Sequence, residues 1–123
     1  MKIKYFCFLF LSLLSRCNAQ SSCGNSPNTN YYISNNLELE NIKNCNIING
    51  SLVINSGYDI NSLESLSNLN EVTGNLVILD NHALTNLKGL HNLNKIHGQD
   101  LYLNQYGLVI KHNNNNINDN NHG

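Results

Sequence analysis

The side chains that could carry out chemistry are few and widely spaced in this sequence of 123 residues. Acid–base or nucleophilic catalysis needs two carboxylates, or a nucleophile and a base, within hydrogen-bonding reach of each other. The aspartates of the central part occur singly, near predicted strand ends: Asp59, Asp80 and Asp100. Since neither pattern is present, the sequence predicts a protein that is not an enzyme.

The histidines do not predict a metal site. Zinc ligands typically occur as closely spaced cysteines and histidines, for example as CxxC. The histidines lack this spacing and have no acidic partner pattern: His91, His97, His112 and His122. We therefore expect solvated surface histidines, with no metal and no cofactor.

The N-terminal residues have the layout of a cleaved secretory signal peptide, which we assign to residues 1–19. Lys2 and Lys4 give the positive start, the apolar stretch Tyr5–Leu14 follows, and small residues precede a cleavage site after Ala19. A membrane anchor is the alternative, but the apolar run is shorter than the about 20 residues that a span needs. We expect a secreted, extracellular protein with no membrane span after cleavage.

The cysteines are compatible with this export route. Cleavage removes Cys7 and Cys17 and leaves Cys23 and Cys45. An even pair in an oxidising compartment can form a disulfide, and this one would stabilise the fold by about 3 kcal/mol in the chain-entropy model. Two free thiols are the alternative.

The charge balance argues against nucleic acid as a partner. The formal net charge is -1 at pH 7, and no basic cluster follows Lys4. Affinity for nucleic acid comes from many contacts between Lys or Arg and phosphate. The sequence therefore predicts no nucleic-acid binding.

An internal repeat of about 24 residues dominates the rest of the chain. Within a repeat the apolar residues recur at every third position, which fits short helical turns or irregular coil better than a long helix. The columns that share the offset are Gly50, Gly74 and Gly98; Ile48, Val72 and Ile96; Cys45, Leu69 and Leu93; Ile42, Leu66 and Leu90; Leu39, Leu63 and Leu87; Ile60, Leu84 and Leu108; Asn44, Asn68 and Asn92; Asn46, Asn70 and Asn94.

A strand signal follows each glycine of the repeat. The signals are Leu52-Val53-Ile54, Leu76-Val77-Ile78-Leu79 and Leu101-Tyr102-Leu103. Glycine before a strand indicates a tight corner, so Gly50, Gly74 and Gly98 are predicted structural corners. Stacking the repeats joins the strands into a parallel sheet over one core. The asparagine columns can hydrogen-bond in a ladder between repeats and satisfy turn backbone.

Two sets of side chains are candidates for binding. Val53, Val77 and Tyr102 are predicted to point outward from the sheet as an apolar stripe, either a partner-binding face or ordinary strand residues. The second set also has the 24-residue offset and consists of Tyr58, His82 and Tyr106. It predicts an aromatic column at a corner. This column either packs locally or binds a sugar or a protein side chain.

Asn49 is a predicted glycosylation site. It begins the sequon Asn49-Gly50-Ser51, whose middle residue is permitted. The residue lies at the corner before the first of the strand signals, where a glycan would reach solvent.

The repeats resemble the receptor L domain of insulin-receptor and epidermal-growth-factor-receptor ectodomains. The resemblance covers about Cys23 to Asn113 and lies in the runs NCNIINGSLVI, LESLSNLNEVTGNLVILDNHALTNLKGL and HNLNKIHGQDLYLNQYGLVI. It implies a right-handed parallel β-helix of three or so coils over residues 20–112, a disulfide between Cys23 and Cys45, and a ligand-binding sheet face without catalysis.

The C-terminal part departs from this pattern. Lys111 takes the column of Leu63 and Leu87, and an Asn-rich disordered tail is predicted over 113–123. The last coil is then uncapped, and its free edge permits edge-to-edge self-association. We expect an interaction module for a protein or glycan ligand. The alternatives are a poorly folded fragment of a larger surface receptor or adhesion protein and, remotely, a carbohydrate-active β-helix enzyme.

Overall fold

The computed structural model describes residues 21–24, 30–98 and 106–114. The predicted signal peptide, its cleavage site after Ala19, Tyr102 and residues 115–123 of the predicted tail lie outside this part of the chain.

The described chain is mainly β, with two parallel sheets and little helix. The short sheet has the order β1-β3-β5-β7, and the long sheet has the order β2-β4-β6-β8. Each repeat contributes one strand to each sheet, as the predicted stacking requires. The short-sheet strands are β1 (Ser22–Cys23), β3 (Ile47–Ile48), β5 (Glu71–Val72) and β7 (Lys95–Ile96). The long-sheet strands are β2 (Asn30–Ile33), β4 (Ser51–Asn55), β6 (Leu76–Leu79) and β8 (Leu108–Lys111). The right-handed sense of the winding stays a prediction.

The spacing of three between apolar residues reflects a series of short helical turns. In the second repeat, Leu66 N donates to Leu63 O (2.9 Å) and Leu69 N donates to Leu66 O (2.9 Å). Bonds of this i to i+3 kind give three residues per turn, so every third side chain points the same way. These side chains fill one core between the two sheets. Its buried members include Leu39, Ile42, Cys45, Ile48, Leu52, Ile54, Ile60, Leu63, Leu66, Leu69, Val72, Leu76, Ile78 and Leu84.

The first repeat contains the one α-helix of the described residues, α1 (Asn36–Asn41). Asn35 caps it, because its side-chain oxygen accepts a hydrogen bond from Glu38 N (2.9 Å). Glu38 in turn accepts a bond from Ser34 N (2.7 Å). Leu39 then points into the core, so this helix covers the beginning of the stack.

Asn68 and Asn92 of the first asparagine column bind backbone carbonyls of the preceding repeat. Asn68 Nδ2 donates to Lys43 O (3.0 Å), and Asn92 Nδ2 donates to Ser67 O (2.6 Å). Each amide thus satisfies a turn carbonyl that no strand partner reaches. The ladder between repeats consists of amide-to-backbone bonds.

The glycine column forms a line of backbone contacts. Gly74 N donates to Gly50 O (2.8 Å), and Gly98 N donates to Gly74 O (2.9 Å). Gly50 and Gly98 have positive φ angles, 128° and 64°. A Cβ atom on Gly74 would lie 2.7 Å from both Gly50 C and Ser51 N. This is the close approach that the predicted corner requires.

The third repeat differs from the sequence expectation. Leu76 pairs with Leu108 and Leu79 with Lys111, so β8 takes the place expected for Leu101-Tyr102-Leu103. Leu108 therefore does not continue the Ile60 and Leu84 column, and Lys111 does not continue that of Leu63 and Leu87.

The physical reason is that hydrogen bonding in the parallel sheet aligns the Leu-Val-Ile triplets, while extra residues lie between Gly98 and Gly107. A Cβ atom on Gly107 would be 3.1 Å from Gly98 Cα, so the two ends of the inserted segment meet.

The predicted tail also begins too early. Asn113 Nδ2 donates to Ile78 O (2.9 Å), and Asn114 N donates to Asn81 O (3.0 Å). Both residues therefore belong to the third repeat.

Candidate functional site

The outer face of the long sheet carries an aligned row of side chains, which we term the outer row: Tyr32, Val53, Val77 and Val109. Strand geometry places successive side chains on opposite faces. The neighbours Leu52 and Ile54 are fully buried in the core, so Val53 lies on the opposite face. The register extends this row across the four strands.

The outer row is exposed only in part. Tyr32 is 68% exposed, Val53 and Val109 are half-buried, and Val77 is 0% exposed although it is not a member of the core cluster. Val77 therefore does not belong to an exposed stripe. Tyr102 lies outside the described residues. Val109 occupies the position in the row that was predicted for Tyr102.

Polar groups border the outer row at both ends of the strands. Ser51 and Asn75 precede Val53 and Val77 by two residues and are buried, and Asn75 Oδ1 has no hydrogen-bond partner among the described residues. At the other end, Asn55 is half-buried. The accessible part of this face therefore comes from Tyr32, Val53, Val109 and Asn55.

Residues with a left-handed backbone conformation directly follow the ends of the long-sheet strands β4, β6 and β8. Ser56, Asp80 and His112 have φ angles of 59°, 54° and 54°. His112 Nδ1 lies 3.3 Å from Asp80 Oδ1, so an ion pair forms between repeats when the histidine is protonated. The left-handed conformation, which is costly for residues other than glycine, therefore recurs at the same corner of successive repeats.

A buried asparagine that sequence reasoning missed follows this corner. Asn81 is fully buried; its Nδ2 donates to Ile54 O (3.0 Å) and its Oδ1 accepts from Gly57 N (3.0 Å). Asn113 Oδ1, which follows β8, accepts from Asn81 N (3.1 Å). A single asparagine therefore links the ends of three neighbouring strands, β4, β6 and β8. Nothing in the sequence distinguished it from the other asparagines of the chain.

Only two members of the predicted aromatic column come together. The rings of Tyr58 and His82 stack with centroids 5.6 Å apart and an interplanar angle of 24°. Tyr106 lies just before β8 instead, because the longer third repeat shifts the register. Tyr58 is 78% exposed, which leaves much of its ring accessible to solvent.

Cys23 and Cys45 form a disulfide, with a Cα–Cα distance of 5.6 Å. Cys45 is buried in the core, whereas Cys23 is only partly buried at the edge of the short sheet. The bond fixes β1 onto the first complete repeat.

Asn49 lies beside this disulfide and is half-buried. Its Nδ2, the atom that glycosylation would modify, donates to Ser22 Oγ (3.2 Å) and Gly24 O (3.4 Å). Glycosylation of Asn49 stays a prediction.

The acidic groups with altered pKa values lie in the first repeat. Hydrogen bonds from the Ser34 backbone and hydroxyl lower the pKa of Glu38. A hydrogen bond from the Ser65 hydroxyl, together with Lys43 at 3.4 Å, lowers the pKa of Glu40. Both carboxyls are accepting groups that stabilise local structure, and neither is held in the neutral form that an acid catalyst needs.

Within residues 21–24, 30–98 and 106–114, no group of three or more His, Cys, Asp or Glu side chains is arranged to hold a metal ion. None of the helices in the same part of the chain has the length and apolar character needed to cross a bilayer.

The family model described as Receptor L domain matches residues 44–121. No curated protein and no solved structure matches the chain significantly.

Proposed function

The chain belongs to the receptor L domain family, and from this premise we propose that it is a secreted interaction module that binds a protein ligand through the outer row. Domains of this family are non-catalytic ligand-binding modules of extracellular receptor regions. We further propose that the repeats wind as a right-handed β-helix, the sense that parallel crossover connections almost always take.

The observation that carries this proposal is the alignment of Tyr32, Val53 and Val109 on a hydrogen-bonded parallel sheet. Stacked strands hold these side chains in fixed positions, so little conformational entropy is lost when a partner binds. Tyr32 is the most exposed member and has the amphipathic ring that is enriched at interfaces.

Two features support export. The described disulfide between Cys23 and Cys45 is typical of proteins that fold in an oxidising compartment. Residues 1–19 carry the sequence pattern of a signal peptide. Detection of a chain that begins at Gln20 in the medium of expressing cells tests this part of the proposal; retention of the chain with residues 1–19 contradicts it.

The ligand-binding proposal is tested by panning purified residues 20–123 against an array of extracellular proteins, and then repeating each positive measurement with Tyr32→Asp and Val53→Asp. Both substitutions place a charge in the outer row and should weaken binding at least about tenfold. Asn61→Asp, at an exposed position outside both sheets, is the matched control. Binding that both outer-row variants retain contradicts the proposed face.

Glycan binding is a second candidate, favoured by the exposed ring of Tyr58 in its stack with His82. Sugar rings pack on such aromatic faces. A glycan array on which Tyr58→Ala abolishes the signal, while Val53→Asp does not, would support it. If residues 20–123 show no cooperative unfolding transition, the hypothesis of a poorly folded fragment replaces both.

A further inference from the structure

The third repeat presents apolar side chains that the earlier repeats bury. Leu87, Leu108 and Ile110 are 40%, 49% and 44% exposed. The residues at the matching positions of the second repeat, Leu63, Leu76 and Ile78, are at most 1% exposed. We term this surface, formed by Leu84, Leu87, Leu108 and Ile110, the open end.

The open end contains a small cavity. It has a volume of about 170 Å³ and is lined mainly by Leu84, Leu87 and Ile110. That volume accommodates one aliphatic side chain. The walls are predominantly apolar, so filling the cavity with a hydrocarbon group removes water from it favourably.

The strand at the open end also has a free backbone edge within the described residues. Gly107 O accepts from Leu76 N (2.9 Å), and Lys111 O accepts from Asp80 N (3.2 Å). In a parallel sheet the backbone groups of successive residues point alternately to the two neighbouring strands. The N–H and C=O groups of Leu108 and Ile110 therefore point away from β6.

The charges of the chain are divided along the stack. Across residues 30–80 the side chains are predominantly acidic, with Glu38, Glu40, Asp59, Glu64, Glu71 and Asp80 against Lys43. Residues 81–114 contain Lys88, Lys95 and Lys111 against Asp100. The repeat that forms the open end is therefore basic.

This charge distribution selects among possible occupants. Two copies joined by their β8 edges would bring two basic third repeats together, which like-charge repulsion disfavours. The first repeat of another copy is acidic and exposes Leu37 (75%) and Tyr32 (68%). Self-association of the wild type in sedimentation velocity that Lys111→Glu weakens would therefore identify a second copy as the occupant and overturn the proposal below.

We propose that the open end binds an acidic, extended segment of a partner protein, which pairs with β8. Its backbone would bond to Leu108 and Ile110, as in other cases of strand addition. Alternate apolar side chains would cover the open end, one of them filling the cavity, and the carboxylates between them would face Lys88 and Lys111. This site is separate from the outer row and does not depend on the ligand proposed for it.

The test measures binding of short blocked peptides to purified residues 20–123 by fluorescence polarisation. In one peptide valine alternates with glutamate, and in the other valine alternates with lysine. We expect the glutamate peptide alone to bind, with an affinity that falls as the salt concentration rises.

The variants Lys88→Glu and Lys111→Glu should each weaken binding about three- to tenfold, whereas Lys43→Glu, which changes the net charge equally in the acidic repeats, should not. Circular dichroism of each variant establishes that the fold is kept. Ile110→Asp should abolish binding, and a Tyr32→Asp control should leave it unchanged.

Three further results would overturn the proposal. Equal binding of the two peptides would show that the open end does not select charge. A dimer in sedimentation velocity that Lys111→Glu strengthens would identify the lysines as protection against a second copy. Binding that appears only after residues 115–123 are removed would assign the open end to the chain's own C-terminal segment.

Discussion

Replacement of Gly74 tests how tightly the repeats stack at the glycine column. A Cβ atom at this position would contact Ser51 Oγ and lie 2.7 Å from Gly50 C and Ser51 N. Two of these three atoms belong to backbone, so the repeats must separate to admit a side chain. The movement would stretch the bonds from Gly74 N to Gly50 O (2.8 Å) and from Gly98 N to Gly74 O (2.9 Å).

The magnitude follows from these contacts. Overpacking costs about 1–3 kcal/mol, and weakened backbone bonds add about 1 kcal/mol. We expect Gly74→Val to lower the free energy of unfolding by about 3 kcal/mol, which for a domain of this size corresponds to a fall of more than about 10 °C in melting temperature. Gly74→Ala should lower it in the same direction by less.

Thermal and urea unfolding of residues 20–123, followed by circular dichroism, measures the effect. Gly107→Ala is the matched control, because among the described residues its Cβ atom would meet Gly98 Cα at 3.1 Å and Gly98 N at 3.9 Å, a looser fit than at Gly74. The direction of the stability change is informative. Where a methyl group fits, replacing Gly by Ala stabilises the fold by about 0.4–1 kcal/mol, because alanine reduces the conformational entropy of the unfolded chain. An unchanged or raised melting temperature for Gly74→Val would refute the close approach of the repeats.

Three further outcomes are expected. Reduction of the Cys23–Cys45 disulfide should lower the free energy of unfolding by about 3 kcal/mol, measured by urea titration with and without a reducing agent; equal midpoints would contradict a role in stability. Asn81→Ala should cost about 2–4 kcal/mol because it leaves buried backbone groups at two sites unpaired, whereas Asn92→Ala, at an exposed position, should cost less than half as much in the same titration. The hydrogen bonds of Glu38 lower its pKa, so their contribution to stability is complete above the ordinary value of 4.5 and is lost as the pH falls through the lowered pKa. The difference in unfolding free energy between the wild type and Glu38→Gln should therefore vanish in acid. A difference that grows in acid would contradict the capping interaction.

The sequence was sufficient to predict the stacked parallel strands and most of the core. Every third residue of the second repeat is apolar, and only a series of short turns along a core buries such a pattern. Leu63, Leu66 and Leu69 are buried as expected. The disulfide was less certain, since free thiols fit the composition equally well until the family resemblance was considered.

The third repeat could not be placed by a constant offset. Leu108 and Tyr106 matched apolar and aromatic columns numerically, but a column of single residues constrains the chain less than a strand does. Aligned parallel strands share several hydrogen bonds, so the recurring Leu-Val-Ile triplet at 108–110 determines the register. The triplet was the stronger signal.

Burial on the outer face was also beyond the sequence. Alternation correctly assigns Val77 to the face opposite Ile78, but it does not predict whether other parts of the chain cover that face. Asn81 was missed for a related reason. An asparagine in an Asn-rich chain has no distinguishing mark, and only the three-dimensional arrangement shows that its amide serves Ile54 and Gly57.

The disulfide at one end and the exposed leucines at the other make the stack directional. In a linear array each unit is stabilised mainly by its neighbours, so opening spreads from the end with the fewest partners. Amide hydrogen exchange should therefore be fastest around Leu108 and slowest around Leu52. The same gradient suits synthesis and export, because the cross-linked repeat emerges first and offers a finished template onto which each later repeat condenses.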